Sequence, residues 1–237
     1  MEYNNQPYEQ YNQTQVVGNV VASRLMRSVF LWMTIGLGIS ALSAYVMFDK
    51  DFDIVLLQSP GLYIGLCIAE FVLVLIFSAA ISRMSFGFAS LIFGVYSLLN
   101  GVTLSPILLL YTGTSVMTTF LITAGTFGTM AILGYTTKMD LSKMGKILYM
   151  ALFGLIIVIL VNLFLRNPMM DYIVSGIGVL LFTGLTMYDV NKIKRLMANV
   201  YEEDNQTRKL ALLGALTLYL DFINLFLFLL RFLGKRN

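Results

Sequence analysis

Seven apolar runs, each of about twenty residues, follow one another along this chain of 237 residues, with short polar gaps between them. A helix of about twenty apolar residues is long enough to cross the hydrocarbon core of a bilayer. Hydrophobic residues make up 58% of the chain and charged residues 12%, against about a quarter charged in soluble domains. The sequence therefore predicts an all-α polytopic membrane protein and excludes a soluble fold. The predicted segments are 25–47, 61–82, 86–111, 115–136, 146–165, 171–191 and 210–232.

Residues 1–20 differ from the rest of the chain, since they are rich in Asn, Gln and Tyr and show no apolar period. Such a segment cannot bury a core, so we predict a disordered tail followed by one seven-helix membrane domain over residues 21–237. The tail lacks the basic start and cleavage site of a secretory signal, which predicts that the first apolar segment is kept as a membrane helix. A polar loop of some size is expected only at residues 192–209.

Lys and Arg are distributed unequally between the two sets of loops, and this bias predicts the orientation of the chain. With a cytoplasmic N-terminus, eleven of the sixteen basic residues fall inside. Arg231, Lys235 and Arg236 disagree if the seventh segment crosses fully. Either the basic residues of the earlier loops determine the orientation, or the seventh segment enters the membrane and returns to the same side. The length and unbroken apolar middle of this segment favour a full span and an exterior C-terminus. The eleven inside residues are Arg24, Arg27, Arg83, Lys138, Lys143, Lys146, Lys192, Lys194, Arg195, Arg208 and Lys209.

Several kinds of chemistry are excluded by residues that the sequence lacks. Without histidine there is no imidazole zinc site, no Ser-His or Cys-His nucleophile pair and no histidine proton relay. No lysine lies in mid-membrane to form a retinal Schiff base, and no Gly-rich phosphate loop is present. A net charge of +3 gives no basic stripe for nucleic acid. The single cysteine, Cys67, is expected to be a small core residue.

Of the thirteen acidic residues, only Glu70, Asp189 and Asp221 lie inside the predicted spans, while Asp171 stands at the first position of the sixth. An uncompensated charge at the bilayer centre costs about 2.5–3.5 kcal/mol, so intramembrane acids usually face protein or water and mark functional sites. Glu70 is equally consistent with a protonated hydrogen-bonding acid and with a place on an ion path. Arg83, at the inner end of the second segment, is either an ordinary positive-inside anchor or a cation that reaches an aspartate pair.

Segment seven carries a polar stripe. Thr217, Asp221 and Asn224, together with Gly214 and Arg231, are spaced so that they follow one side of a helix. Thr and Asn commonly make hydrogen bonds between membrane helices, and this interpretation is favoured for Thr217 and Asn224. An acid is a costly way to make such a bond, so Asp221 is predicted to be functional.

Asp189 and Asp221 lie on consecutive antiparallel segments and approach the same leaflet from opposite directions. Asp189 is expected to be shallower by about two turns unless the helices are staggered or bent. Two carboxylates meeting in a dry site would share one proton and act as a proton-operated switch. With both charged they would offer an oxygen site for Ca²⁺. The alternative for Asp189 is an interfacial acid that pairs with the basic loop at Lys192.

Pairs of small residues at helical spacing occur in three segments. Small side chains let membrane helices approach closely, so each pair is expected at a helix contact. The pairs are Gly36 with Ser40, Ser97 with Gly101, and Gly125 with Gly128.

Aspartates on consecutive late helices also occur in intramembrane aspartyl proteases. Tyr188-Asp189 resembles the Tyr-Asp of the presenilin and signal-peptide-peptidase family. That family's second aspartate follows Gly-x-Gly, whereas Tyr219-Leu220-Asp221 stands here, and its Pro-Ala-Leu motif is absent. An aspartyl protease is therefore a remote alternative, and the chain is not expected to be an enzyme.

A second resemblance covers nearly the whole chain after the tail. The chain is identified as a member of the transmembrane Bax inhibitor motif family, in its bacterial branch, by four strings, of which the last is long and highly specific. They are GVTLSPILLLYT in segment three, GYTTKMDLSKMG after segment four, GLTMYDVNKIK in segment six and LGALTLYLDFINLFLFLLRFLG in segment seven.

This resemblance implies a fold in which the last helix is central and surrounded by the other six. It also implies a pH-sensitive passive calcium leak controlled by an aspartate pair, which falls here on Asp189 and Asp221. The family's arginine at the end of helix two, which can bond to that pair, falls on Arg83. Its acid in helix two, linked to a gating latch, corresponds to Glu70.

The partners implied are the lipid bilayer of a bacterial inner membrane and Ca²⁺, as a transported or transiently bound ion rather than a cofactor. No nucleic acid is expected. Some bacterial relatives are associated with membrane proteases, so a non-channel modulator of a membrane protease, or a stress regulator, is the alternative function.

Overall fold

A computed structural model describes the backbone of residues 6–237 and the side chains of residues 18–237. Within these limits the regular structure is helical, which confirms the all-α prediction, and seven helices are long and apolar enough to cross a membrane. The short α2 lies between two of them and was not predicted. A 3-10 turn at Ile81–Arg83 ends α3. The helices are α1 Gln6–Asp49, α2 Phe52–Gln58, α3 Pro60–Ala80, α4 Phe86–Leu110, α5 Gly113–Thr136, α6 Ser142–Leu165, α7 Pro168–Ala198 and α8 Asn205–Leu233.

The helices continue beyond the apolar runs at the end of the bundle where α1 begins. This end, which carries the eleven basic residues named above, is called the basic end. Helix α7 continues to Ala198 and α8 begins at Asn205, so the expected polar loop 192–209 shrinks to residues 199–204. Helix α1 begins at Gln6, inside the stretch predicted to be a disordered tail; residues 1–5 lie outside the described residues, and the disorder stays a prediction.

The start of α8 is defined by a capping box. The Asp204 carboxylate accepts a hydrogen bond from the Thr207 N–H at 2.8 Å, and the Thr207 hydroxyl accepts one from the Asp204 N–H at 2.9 Å. These reciprocal bonds satisfy donors that a helix start leaves free. The bond from the Thr207 N–H also lowers the pKa of Asp204.

Helix α8 is the most buried of the seven candidate spans. It packs directly on α1, α4, α5 and α7, and α6 faces it across a cavity. Its 29 residues form one unbroken helix of about 43 Å, long enough to cross the bilayer. Beyond it, Arg236 pairs with Tyr111 in an antiparallel bridge, at the end opposite to the basic end. The last segment is thus one unbroken helix that is long enough for a full span, and the chain does not turn back within it.

Helices α3 and α6 are the least buried of the seven candidate spans. The main neighbour of α3 is α4. Cys67 lies on the exposed side of α3, where the bilayer would be, and not in the core. The prediction for Cys67 was wrong because an apolar run does not reveal which of its faces meets lipid and which meets protein.

Two of the three small-residue pairs lie at a helix contact, as expected. A side chain at Gly101 would meet the Ser40 backbone. A side chain at Gly36 would meet the Phe93 ring and the Ser97 hydroxyl, so α1 and α4 are in close contact here. The third pair is different. A side chain at Gly125 or Gly128 would meet no atom within 4 Å, and the predicted helix contact is absent.

We expect Gly101→Leu to lower the melting temperature of the protein in detergent, because the new side chain would collide with the Ser40 backbone and force α1 away from α4. Overpacking of this kind costs about 1–3 kcal/mol or more. Gly94→Leu is the matched control on the same helix, since a side chain there meets open space. Equal destabilisation by the two substitutions would contradict the described α1–α4 contact.

Candidate functional site

The relative height of α7 and α8 is set by two contacts with glycine. Ile193 packs on Gly214 near the basic end, and Phe228 packs over Gly178 deeper in the bundle. In this antiparallel register, Asp221 lies level with residues 185–186 of α7. Asp189 is therefore one turn nearer the basic end, about 4.5 Å, and not the two turns expected from the sequence.

The remaining offset is closed by the direction of the side chains. In an α-helix the Cα–Cβ bond tilts toward the N-terminus. Because α7 runs toward the basic end and α8 away from it, Asp189 leans deeper while Asp221 leans back toward the basic end. The two carboxyl groups are close enough to interact directly, and both residues are buried, at 3% and 5% exposure. The structure thus brings the predicted aspartate pair together.

The pair has few other partners. The Tyr149 hydroxyl, from α6, donates a hydrogen bond to Asp189 Oδ1 at 3.1 Å. Asp221 Oδ2 is buried and has no hydrogen-bond partner among the described residues other than the facing carboxyl group. A hydrogen bond between two carboxyl groups requires that one of them carries a proton. A single proton shared by the pair would provide that bond.

A cavity of about 390 Å³ extends from the pair between α6, α7 and α8. Its polar lining comes from the pair, Tyr149, Thr217 and Asn224. Phe182 and Phe228 line its far side, and their rings stack with centroids 5.6 Å apart and planes 25° apart.

Thr217 and Asn224 do not make the hydrogen bonds between helices that were favoured for them. The Thr217 hydroxyl donates to the Leu213 carbonyl at 3.1 Å, and the Asn224 amide donates to the Leu220 carbonyl at 2.8 Å, both within α8. Their donors are thereby satisfied inside the helix, which leaves oxygen lone pairs of both side chains available to the cavity.

Lys192 is the cation that lies beside the pair. Its ammonium is 5.8 Å from the ring centre of Tyr149 and 5.9 Å from that of Tyr188, and its charge acts on Asp189. It makes no ion pair with Asp189: the ion pair found in the described part of the chain joins Arg195 and Asp140. The alternative of an interfacial Asp189–Lys192 salt bridge is therefore not observed, and Lys192 sits at the basic-end side of the cavity.

Arg83 is not brought to the aspartate pair, so the contact implied by the resemblance is absent from this structure. Arg83 belongs to the 3-10 turn that follows α3, and its side chain is exposed. The turn is held by Lys209, which is 5% exposed and donates to the carbonyls of Ser82 and Met84 at 2.9 and 3.0 Å. Because Lys209 holds the backbone on both sides of Arg83, the guanidinium remains at the surface.

Glu70 belongs to a second polar network. Its carboxylate accepts hydrogen bonds from Thr103 at 2.7 Å and Asn100 at 3.2 Å, and Asn100 in turn accepts one from Tyr219 at 2.8 Å. Tyr219 precedes Asp221 by two residues, so their side chains leave α8 about 200° apart. Helix α8 therefore stands between the Glu70 network and the aspartate pair.

A resident metal centre is not indicated. Throughout the described ranges no group of three or more Cys, Asp or Glu side chains is placed to hold a metal ion. The pair supplies two carboxyl groups, and neutral oxygens of Tyr149, Thr217 and Asn224 line the same cavity. Such a lining suits an ion in transit better than one held permanently, because Ca²⁺ takes six to eight oxygen ligands in stable sites.

The connection between α5 and α6 is fixed to the end of α7. Hydrogen bonds from Ser142, together with Arg195 at 2.7 Å, hold the pKa of Asp140 at about 2, below the ordinary 3.8. Because the pKa is lowered on folding, this stabilisation is present above about pH 3.8 and is lost as the pH falls toward 2.

We expect Asp140→Asn to lower the melting temperature slightly at neutral pH and to leave it unchanged near pH 2, so that the melting temperature depends less on pH between 2 and 3.8. An equal fall of the melting temperature at neutral pH and near pH 2 would contradict this prediction.

These features define a class: helical membrane proteins with seven candidate spans that bury a carboxyl pair beside the last helix. The chain belongs to the family described as "Inhibitor of apoptosis-promoting Bax1", whose sequence pattern matches residues 22–237. The family resemblance found in the sequence is confirmed.

Curated relatives match the chain over most of their length. The "Inner membrane protein YbhL" of Escherichia coli strain K12 is 45% identical over 214 residues, covering 90% of this chain and 92% of that protein. An uncharacterized protein of Borreliella burgdorferi is 42% identical, covering 92% and 94%. An uncharacterized membrane protein of Streptococcus pyogenes serotype M1 is 38% identical, covering 92% and 96%.

Proposed function

We propose that this protein is a passive Ca²⁺ leak of a bacterial inner membrane, opened and closed by protonation of Asp189 and Asp221. The observation that carries the proposal is that the two buried carboxyl groups face each other at one end of a cavity whose otherwise apolar lining includes five side chains that bear oxygen. The relative named an inner membrane protein supports the location. The excess of Lys and Arg at the basic end supports a cytoplasmic basic end.

The cavity offers an incoming Ca²⁺ a partial replacement for its water shell. The carboxyl groups, the Tyr149 hydroxyl and the side-chain oxygens of Thr217 and Asn224 are hard oxygen donors of the kind that Ca²⁺ prefers. Fewer donors than a tight site needs let the ion bind weakly and leave again, as conduction requires.

In this proposal Lys192, and not Arg83, is the cation that interacts with the aspartate pair and controls opening. A charged pair attracts the Lys192 ammonium and keeps it beside Tyr149 and Tyr188, across the basic-end side of the cavity. Full protonation removes that attraction and frees the entrance. The leak is therefore closed at higher pH and opens as the pH falls.

The test is Ca²⁺ flux into liposomes that contain the purified full-length protein and a Ca²⁺-sensitive dye. We expect flux above that of protein-free liposomes, rising as the pH falls from about 8 to about 6. Absence of flux over this range, or flux that does not respond to pH, would overturn the proposal.

We expect Lys192→Gln to raise the flux at the higher pH several-fold, because the entrance then lacks the cation that the charged pair attracts. Lys143→Gln is the control, since Lys143 is also exposed at the basic end but does not lie over the Tyr149 and Tyr188 rings as Lys192 does. The gating role of Lys192 fails if both variants respond to pH as the wild type does.

A further inference from the structure

A second large cavity lies between α1 and α5. Helix α1 packs on α4, α7 and α8, and α5 packs on α7 and α8. Between α1 and α5 a groove of about 710 Å³ remains, with Phe222 of α8 on its wall. This volume is within the range of small-molecule sites in proteins, about 300–1,000 Å³.

The groove has the length and lining of an acyl-chain site. It follows α1 from Ser23 to Leu37, a rise of about 21 Å, whereas one leaflet of the hydrocarbon core is about 15 Å thick. Its deeper part is lined mainly by apolar side chains, among them Met33, Phe120 and Phe127. Polar groups are concentrated at the basic end of the groove.

The groove is open at Gly128 of α5. This glycine lines the groove, and a side chain at this position would meet no atom within 4 Å. An empty groove would forfeit dispersion contacts along its walls, and water has few polar partners in its deeper part. A hydrocarbon chain from the surrounding bilayer satisfies both conditions.

Two cations lie where the groove reaches the basic end. Arg27 lines the groove, is exposed and makes no ion pair among the side chains that the structure describes. Lys194 donates a hydrogen bond to the carbonyl of Tyr135, another lining residue, and its ammonium lies 5.3 Å from the centre of the Tyr135 ring. This end of the groove therefore favours a negatively charged group.

We propose that the groove between α1 and α5 binds one anionic phospholipid of the leaflet at the basic end. The phosphate lies at Arg27, with Lys194 nearby, and one acyl chain runs along Gly128 to Phe222. Neither the aspartate pair nor Ca²⁺ conduction is needed for this site. It therefore stands or falls separately from the proposed leak.

Native mass spectrometry of the full-length protein with phosphatidylglycerol or phosphatidylcholine tests the headgroup. We expect retention of one phosphatidylglycerol in preference to phosphatidylcholine, and about fivefold weaker retention for Arg27→Gln, the effect of one cation near an anionic lipid. Arg24→Gln, also exposed on α1 but outside the groove, is expected to retain the lipid. Equal losses for the two variants would show general surface charge and would overturn the site.

The acyl chain is tested separately with Gly128→Leu, which fills the groove, and Gly125→Leu, which adds the same side chain one turn away outside it. We expect loss of the bound lipid for the first only, with unchanged helical content by circular dichroism for both. Retention by Gly128→Leu would overturn the proposal. Displacement of the lipid by excess inorganic phosphate would overturn it too, since it would indicate a simple anion site.

Discussion

Asp221→Asn is expected to leave Ca²⁺ flux in liposomes low and independent of pH between about pH 6 and 8. The asparagine amide does not titrate, and it can donate to Asp189 the hydrogen bond that the shared proton makes in the wild type. Asp189 then has no second acid with which to share a proton, and in the proposed mechanism its charge holds Lys192 beside Tyr149 and Tyr188 and keeps the entrance closed. At the lower pH we expect flux about tenfold below the wild type, which corresponds to a modest shift between two states.

Asp171→Asn is the charge-matched control for this experiment. Asp171 lies at the other end of α7, where it accepts a hydrogen bond from Asn162 at 2.7 Å, and it does not line the cavity. It should conduct and respond to pH as the wild type does. A wild-type pH response from Asp221→Asn would exclude the pair as the sensor, even if the protein conducts Ca²⁺.

The number of spans could be predicted from the sequence, whereas the heights of α7 and α8 could not. Apolar length is a direct measure of what crosses a bilayer, so each run became a spanning helix. Residues 192–198 and 205–209 are polar but helical, and a hydropathy pattern does not distinguish a polar helix end from a loop. The contact of Ile193 with Gly214 sets the register instead, and it reduces the expected offset of the aspartates to one turn.

The two aspartates of the site were predictable because acids are rare within spans, but their surroundings were not. Tyr149 belongs to an apolar helix with little periodicity, so nothing in its sequence indicates which face meets α7. Lys192 could be read only as part of a basic loop. The resemblance put Arg83 at the pair, but its turn is held by Lys209, which is 126 residues away in the chain. Such contacts depend on helix rotation, which one sequence does not specify.

Helix α8 separates two polar regions that the sequence stripe did not distinguish. Tyr219 faces Asn100 and Ser40, while Asp221 faces Asp189. Glu70, which was placed with the aspartates as a candidate on an ion path, is therefore bonded to α4 on the other side of α8 and is linked to α8 only through Asn100. A single helix thus anchors one network and forms the wall of the cavity with its opposite face.

The far side of that cavity gives the second large effect, since Phe228→Ala is expected to raise Ca²⁺ flux at least several-fold. In the wild type the Phe228 ring stacks on Phe182 and lies over Gly178. In the proposed leak these two rings are the barrier that an ion passes as it leaves the cavity. Removing one ring extends the cavity at this point. The gain should be largest at the lower pH, where Lys192 no longer obstructs the other side, and liposome flux at the two pH values measures it.

Phe226→Ala separates this effect from simple destabilisation. Both phenylalanines lie on α8 and are similarly buried, at 9% exposure for Phe226 and 7% for Phe228, and truncating either should cost about 3–5 kcal/mol of stability. Phe226, however, packs against Phe120 of α5, on a different face of the helix. Both variants should therefore melt at lower temperature, while only Phe228→Ala should conduct more. If both leak to the same extent, loosening of the bundle explains the flux and the stacked rings are not the obstruction.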